Sequence, residues 1–252
     1  MPETRHFIEN FTSALRILGN TPGGDILELR RGAGAFATGM PFAGENYALF
    51  DSCSSKEDAS TVLDFFADRK FPFISMQLPE LRKEVSETLE GRGLSVRAEY
   101  LAMSISSSSS EREPDPYVKR VTDRSGSIEW AEAAWTGFGG ELPVPDSYIN
   151  FAAYLSNCPE NRLYCLEIEG IPLCSALLHS ADRTCGLYYF ATKPEVRRQG
   201  LAVRFMDSLA EHASHFSENM VLLATEMGAK MYKSYGFEVL FRVPVFSSSD
   251  EF

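Results

Sequence analysis

Hydrophobic positions along the chain recur at two spacings. In KEDASTVLDFFADR (56–69) they return every three or four residues, the period of a helix with one buried face. The stretches around it, NYALFDS (46–52) and FPFISM (71–76), are short, apolar and β-prone, and predict strands. PELRKEVSETLEGRG (79–93) predicts a second helix and LSVRAEYLAMSI (94–105) a further strand. Later in the chain YVKRVTD (117–123) alternates as a strand does. SIEWAEAAWTGF (127–138) has helical spacing, with Ile128, Ala131 or Glu132, and Trp135 along one side. RLYCLEIEG and IPLCSALLHS predict a hairpin turning at Glu169 and Gly170, and CGLYYFAT (185–192) a strand. Leu201, Phe205, Leu209, Ala213 and Phe216 mark one face of a helix. MVLLAT (220–225) reads as a buried strand, GAKMYKSY (228–235) as a short helix and GFEVLFRVPVF (236–246) as a closing strand.

SISSSSSEREPDP (104–116) has no apolar period and reads as a linker. It divides the chain into 1–103, a linker of 104–116, and 117–252. The two flanking parts share an order of elements. LEGRGL (89–94) overlays YKSYGF (232–237), glycine on glycine, which points to an internal duplication.

Composition narrows the function. The chain has 252 residues, 44% of them hydrophobic, and a formal net charge of −11. Such a field repels nucleic acid and anionic membrane, so neither is expected as a partner. MPETRHFIENF lacks the cationic and apolar regions of a secretory signal, and no apolar run reaches the roughly 18 residues of a membrane span. The five cysteines (53, 158, 165, 174 and 185) have no CxxC spacing, and His6, His179, His212 and His215 are scattered. No disulfide framework and no metal site is expected, and a reduced cytoplasm is the simplest location.

Against this acidic background EVRRQGLAVRFM (195–206) stands out. A helix start carries four backbone N–H groups without intrahelical partners, and the helix dipole adds partial positive charge. A phosphate group satisfies both. Gly200 lets backbone amides approach oxygen closely, Ala202 keeps a second approach point small, and Arg197 and Arg198 add attraction and possible direct contacts. R-x-x-G-x-A alone recurs by chance. Here a strand precedes it, an amphipathic helix follows, and YKSYGF lies downstream.

FATKPEVRRQGLAVRFM followed by LLATEMGAKMYKSYGF resembles the GNAT N-acetyltransferase superfamily, over about residues 117–247. Arg197-Arg198-Gln199-Gly200-Leu201-Ala202 matches the family's Q/R-x-x-G-x-G/A pyrophosphate loop, and Tyr232 to Phe237 its Tyr-x-x-x-Gly-Phe. Ala202 stands where glycine is commoner. The resemblance implies an α+β fold with a mixed, largely antiparallel central sheet, here duplicated, and acetyl-CoA as co-substrate without a metal. By the same resemblance, the backbone of Phe190, Ala191 and Thr192 pairs with the pantetheine arm and the amides from Arg198 to Ala202 cradle the pyrophosphate. Thr225 lines the thioester and Tyr232 is the general acid. WTGFGGELPVPDSY (135–148) lines the acceptor cleft, with Phe138, Glu141 and Tyr189 as candidate substrate contacts; for Trp135, core packing is the plainer reading. Alternation sends only one of Tyr188 and Tyr189 towards the acceptor. Glu132, Glu141 and Glu167 are base candidates by residue type alone; for each, a solvated carboxylate is the plainer reading.

The implied activity is transfer of an acetyl group to a primary amine of a small molecule or peptide, by a monomer or homodimer. Two alternatives stay open: a non-catalytic acyl-CoA sensor, and a Fem-like acyl or aminoacyl transferase, against which the acidic balance and the intact loop both count. In the N-terminal part the phosphate loop is replaced by SSKEDAS (54–60), with no glycine and two carboxylates, and Leu89 stands in place of Tyr232. RRGAG (30–34) opens no amphipathic helix. That part reads as a degenerate GNAT-like half.

Overall fold

The computed structural model describes residues 2–29, 32–80, 82–106 and 115–248. The described chain runs α1 (Pro2–Gly19), β1 (Asp25–Glu28), β2 (Gly34–Ala37), β3 (Asn46–Asp51), α2 (Lys56–Arg69), β4 (Ile74–Leu78), α3 (Lys83–Gly91) and β5 (Ser95–Ser106). It continues through β6 (Val118–Arg120), α4 (Arg124–Gly137), α5 (Asp146–Asn157), β7 (Asn161–Ile168), β8 (Ile171–Ala181) and β9 (Thr184–Thr192). It closes with α6 (Leu201–Ser214), β10 (Asn219–Ala224), α7 (Glu226–Tyr235) and β11 (Glu238–Ser247). The expected mixed sheet is present: β3/β4 and β9/β10 are parallel. The pairs β1/β2, β2/β3, β4/β11, β6/β7, β7/β8 and β8/β9 are antiparallel.

Two compact units divide the chain. One takes in the chain to Ala102, Ala224–Lys230, and the chain from Val239; the other is Met103–Leu223 with Met231–Glu238. The sequence reading keeps everything after 117 in one unit, whereas most of β11 belongs with the N-terminal residues. Ser104 to Ser106, read as linker, are the end of β5, and 107–114 lie outside the described residues. So do Arg30 and Arg31 of RRGAG.

In the first unit the strands run β1-β2-β3-β4-β11-β5. Phe50, Val62, Phe66, Val85, Leu89 and Phe246 form its core. Helix α1 lies outside the sequence-predicted elements, although Phe7, Phe11, Leu15 and Leu18 carry helical spacing and are all buried. Phe7 meets Phe241 edge-on at 5.3 Å. Asn46, fully buried, holds the start of β3. Its Nδ2 donates to the carbonyls of Met40 (3.0 Å), Phe42 (3.0 Å) and Pro72 (2.8 Å), and its Oδ1 accepts from the Thr38 N–H at 2.9 Å.

In the second unit the strands run β10-β9-β8-β7-β6. The hairpin turn falls at Glu169 and Gly170 as predicted, with φ of 54° and 78°, the pair of positive values a two-residue I′ turn needs. A second such turn, Asp182 and Arg183, joins β8 to β9 without a glycine to announce it. Helix α4 buries a different face from the predicted one. Trp130, Ala131, Ala134 and Gly137 point inward, Trp130 donating to the Ala176 carbonyl at 2.9 Å, while Ile128 is 44% exposed. Helix phase alone did not choose between these stripes; the sheet that receives Trp130 does. His179 is buried with its Nδ1 2.8 Å from Asn161 Oδ1.

The aligned helix ends, one in each unit, close identically. Leu94 N–H donates to Leu89 O and Gly93 N–H to Glu90 O; Phe237 N–H donates to Tyr232 O and Gly236 N–H to Lys233 O. Both glycines have positive φ, 84° and 116°. This is a Schellman stop, in which glycine takes the left-handed position after the helix.

Removing the amide in Asn46→Ala leaves buried carbonyls and an N–H without partners, so the expected loss is about 3 kcal/mol of unfolding free energy in denaturant titration. Asn46→Asp is expected to lose more, because a carboxylate then faces three carbonyls. Burial pushes the His179 imidazole down from 6.5 to about 4. A group with a depressed folded pKa contributes stability above its unfolded pKa and loses it as pH falls. The unfolding midpoint is therefore expected to fall between pH 6.5 and about 4, and His179→Gln to flatten that part of the profile.

Candidate active site

Strand β9 is where the site begins. Its parallel register with β10 runs from Thr184↔Asn219 to Leu187↔Leu222 and ends there. Its antiparallel register with β8 continues through Tyr188↔Leu177 and, after a shift, Ala191↔Ser175 and Thr192↔Cys174. The shift is a bulge. Tyr189 has φ of 50°, and Ser175 Oγ donates to its carbonyl at 2.9 Å. A bulge bends the strand that carries it, and here the pairing with β10 ends just before it. Among the described residues, Phe190 to Thr192 have no register partner on the β10 side.

The bulge also resorts the side chains. Strict alternation separates Tyr188 from Tyr189, but the inserted residue puts both on the face of α4 and α5. Tyr189 meets Trp130 at 5.4 Å, Phe151 at 5.9 Å and Phe138 at 6.5 Å. Tyr188 pairs with Leu177 and approaches His179 at 6.4 Å, and Asn161, opposite His179, donates to the Leu155 carbonyl of α5. Phe190 turns the other way, stacking on Phe205 of α6 at 5.7 Å and meeting Tyr232 of α7 at 6.0 Å. Ala191 packs against Gly137: a Cβ on that glycine would lie 2.6 Å from the Ala191 Cβ.

After β9, a 3₁₀ turn (Pro194–Val196) leads to Arg197, Arg198 and Gln199, then Gly200 and α6. Arg198 has φ of 62° and Gly200 of 82°, and nothing lies within 4 Å of a Cβ built on Gly200. Gly200 is the N-cap and its carbonyl accepts Arg204 N–H at 3.1 Å, but no side chain caps the helix and its first turn holds no acidic residue. Among the described residues, no acceptor meets the backbone N–H groups of Leu201, Ala202 and Val203. Gln199 is exposed, its Nε2 3.5 Å from the Glu195 carbonyl. Arg198 is exposed, whereas Arg197 is engaged: Nε donates to the Thr192 carbonyl at 3.0 Å and Nη2 to that of Gly137 at 2.7 Å. Arg204 forks onto Asp115, whose carboxyl this hydrogen bond draws below its ordinary range, and so fixes the first turn of α6.

Tyr232 is buried between Phe190 and Phe237, the latter at 5.6 Å, and burial pushes its phenol well above the ordinary value. Thr225 caps α7: its carbonyl accepts Ala229 N–H at 2.9 Å and its hydroxyl Gly228 N–H at 3.3 Å. On the acceptor side Phe138 is 62% exposed. Glu141 is exposed too and meets Trp135 through its backbone carbonyl, which accepts the indole N–H at 2.8 Å. Two of the three base candidates are engaged elsewhere: Glu132 pairs with buried Lys193 and Glu167 with Lys119, each at 2.6 Å. Sequence reasoning passed over Trp130, Phe151, Gly137 and Lys193; the apolar spacing of DSYINFAAYL (146–155) held the signal for the helix that carries Phe151.

The corresponding place in the first unit is built differently. Strands β3 and β4 stay paired to their last residues, Asp51↔Leu78. At the start of α2, Ser55 Oγ accepts Asp58 N–H at 3.2 Å and Asp58 accepts Ser55 N–H at 2.8 Å. The first turn also carries Glu57. Its donors are satisfied from within and its charge repels anions.

Residues 128–237 match the profile of the acetyltransferase (GNAT) family. No curated protein matches the sequence. Among solved structures, a GCN5-related N-acetyltransferase from Kribbella flavida superposes with a TM-score of 0.65 at 14% identity, over 97% of this chain and 94% of that one. A functionally unknown conserved protein from Staphylococcus epidermidis gives 0.62 at 11% identity, over 94% and 97%. A GCN5-related N-acetyltransferase from Sphaerobacter thermophilus gives 0.56 at 13%, over 89% and 82%. These likenesses share the fold, and the match of residues 128–237 to the acetyltransferase (GNAT) family profile is what relates the chain to that family.

Proposed function

We propose that the protein is an acetyl-CoA-dependent N-acetyltransferase acting on a primary amine of a small molecule or peptide. One observation carries the reading: the open edge of β9 runs straight into a helix start whose amides have no acceptor among the described residues. Backbone donors left this way are matched by the amides of a pantetheine arm and the oxygens of a pyrophosphate. The open space at Gly200 and the exposed Arg198 fit the same ligand. Acetyl-CoA supplies an activated acyl group on a thiol leaving group.

The chain's own groups divide the remaining work. Amides on the β10 side of Phe190 to Thr192 are donors for the charge that develops on an acyl oxygen. Tyr232 holds a proton on Oη: burial disfavours its phenolate, so it is neutral across the physiological range and serves as the acid. The ring wall of Tyr189, Phe138, Trp130 and Phe151 gives the acceptor an apolar approach on the other face. An acceptor amine, with a pKa of about 10.4 when lysine-like, must shed a proton first, and with Glu132 and Glu167 held by lysines, water takes it. The first unit is read as a GNAT-like half that has lost the donor site, in keeping with its closed β3/β4 pair and self-capped α2.

Calorimetry tests the donor seat. Wild type is expected to bind acetyl-CoA at micromolar levels, and Gly200→Glu to weaken binding about 100-fold by placing a carboxylate where phosphate sits. No binding by folded wild type would sink the reading. In a thiol-release assay over an amine panel, Tyr232→Phe is expected to cut kcat about 100-fold and leave the acetyl-CoA KM unchanged. Full activity in that variant would remove Tyr232 from the mechanism.

A further inference from the structure

We infer that Arg197 is a positioning residue that ties the acceptor wall to the end of β9, and not a phosphate ligand. The inference deepens the proposed function and rests on it for the identity of the two sites joined. Arg197 places two N–H donors on two segments, Nε on the Thr192 carbonyl at 3.0 Å and Nη2 on the Gly137 carbonyl at 2.7 Å. Thr192 ends the strand whose open edge faces the donor. Gly137 ends α4, and Phe138 follows it directly into the acceptor wall.

Three further features fit a bracket. The Gly137 carbonyl belongs to the last turn of a helix, where carbonyls lack intrahelical partners and favour a cation. Gly137 is also the residue that lets α4 approach, since any Cβ there would collide with Ala191. Lys193 makes a second tie from the same strand end, its ammonium 2.6 Å from Glu132 on α4. Both arginines are exposed, but Arg198 is without a hydrogen bond or ion pair among the described residues and is the guanidinium available to phosphate. A planar fork reaches two carbonyls on divergent segments; a lysine ammonium supplies the charge at one point only.

The test uses free coenzyme A as probe with Arg197→Lys, Arg197→Gln and Arg198→Gln. Both Arg197 variants are expected to hold coenzyme A within about threefold of wild type, while Arg198→Gln loses about tenfold. In the Arg197 variants alone, amide exchange at Phe138, Gly139 and Gly140, bonded to the carbonyls of Ala134, Thr136 and Trp135, is expected to speed by about tenfold. Emission from Trp135, whose indole bonds within the same loop, shifts with it. With any amine the panel yields, Arg197→Lys raises the amine KM and leaves the acetyl-CoA KM alone. If Arg197→Gln weakens coenzyme A as Arg198→Gln does and Arg197→Lys restores it, Arg197 is a phosphate ligand and the inference falls. Unchanged exchange at Phe138 to Gly140 overturns it equally. The exchange arm needs no coenzyme, so a wild type that fails to bind would defeat the proposed donor while the bracket is still decided.

Discussion

A backbone N–H or C=O must be paired somewhere, and among the described residues the register of β9 with β10 ends at Leu187. The bulge at Tyr189 is the local cause. It bends β9 away, and it is held by Ser175, whose hydroxyl bonds the Tyr189 carbonyl from β8. The same insertion decides which aromatic residue serves which side. Tyr188 and Tyr189 go to the face of α4 and α5, Phe190 to that of α6 and α7. Opening the strand and sorting its side chains are one event. Without it Phe190 would not reach Tyr232, and Tyr189 would not complete the ring wall with Phe138.

The two units show how much depends on where donors are spent. Each has a parallel strand pair followed in sequence by a Schellman-stopped helix with glycine in the same place. In the first, β3 and β4 pair to their ends and Ser55 and Asp58 satisfy the start of α2 between them. A donor satisfied within the chain is a donor no ligand can use. In the second, the strands part and Gly200 brings no capping side chain. The second arrangement is locally a little less stable, since a serine or aspartate cap contributes roughly a few tenths of a kcal/mol more than a glycine cap. That difference is what the proposed donor seat requires of a helix start.

How far this was legible in the sequence varies with the kind of signal. Periodicity and glycine punctuation gave the loop at Gly200, the hairpin at Gly170 and the helix stop at Gly236, because each needs a positive φ that glycine supplies. The bulge left no such mark: Tyr189 takes a positive φ without being glycine, and tertiary contacts hold it there. The face of α4 was misread for a related reason. Two stripes, one through Ile128 and Trp135 and one through Trp130 and Gly137, are both apolar, and the sheet chooses between them. Arg197 was readable as a cation but not as a bracket, since its carbonyl partners lie five and sixty residues away.

A chain with net charge −11 repels a polyanion at long range, so the proposed seat has to act at short range. Physiological salt screens exposed charges beyond about 8 Å, which removes most of the distant repulsion. Within that distance the balance is reversed by a few residues. The first turn of α6 carries no acid, its amides have no acceptor among the described residues, and Arg198 stands exposed in the loop before them. The first turn of α2 carries Glu57 and Asp58 in the comparable place. Changing two carboxylates in one helical turn alters the local field far more than it alters the net charge. An acidic protein can therefore hold a phosphate seat, provided the acids are kept out of that one turn.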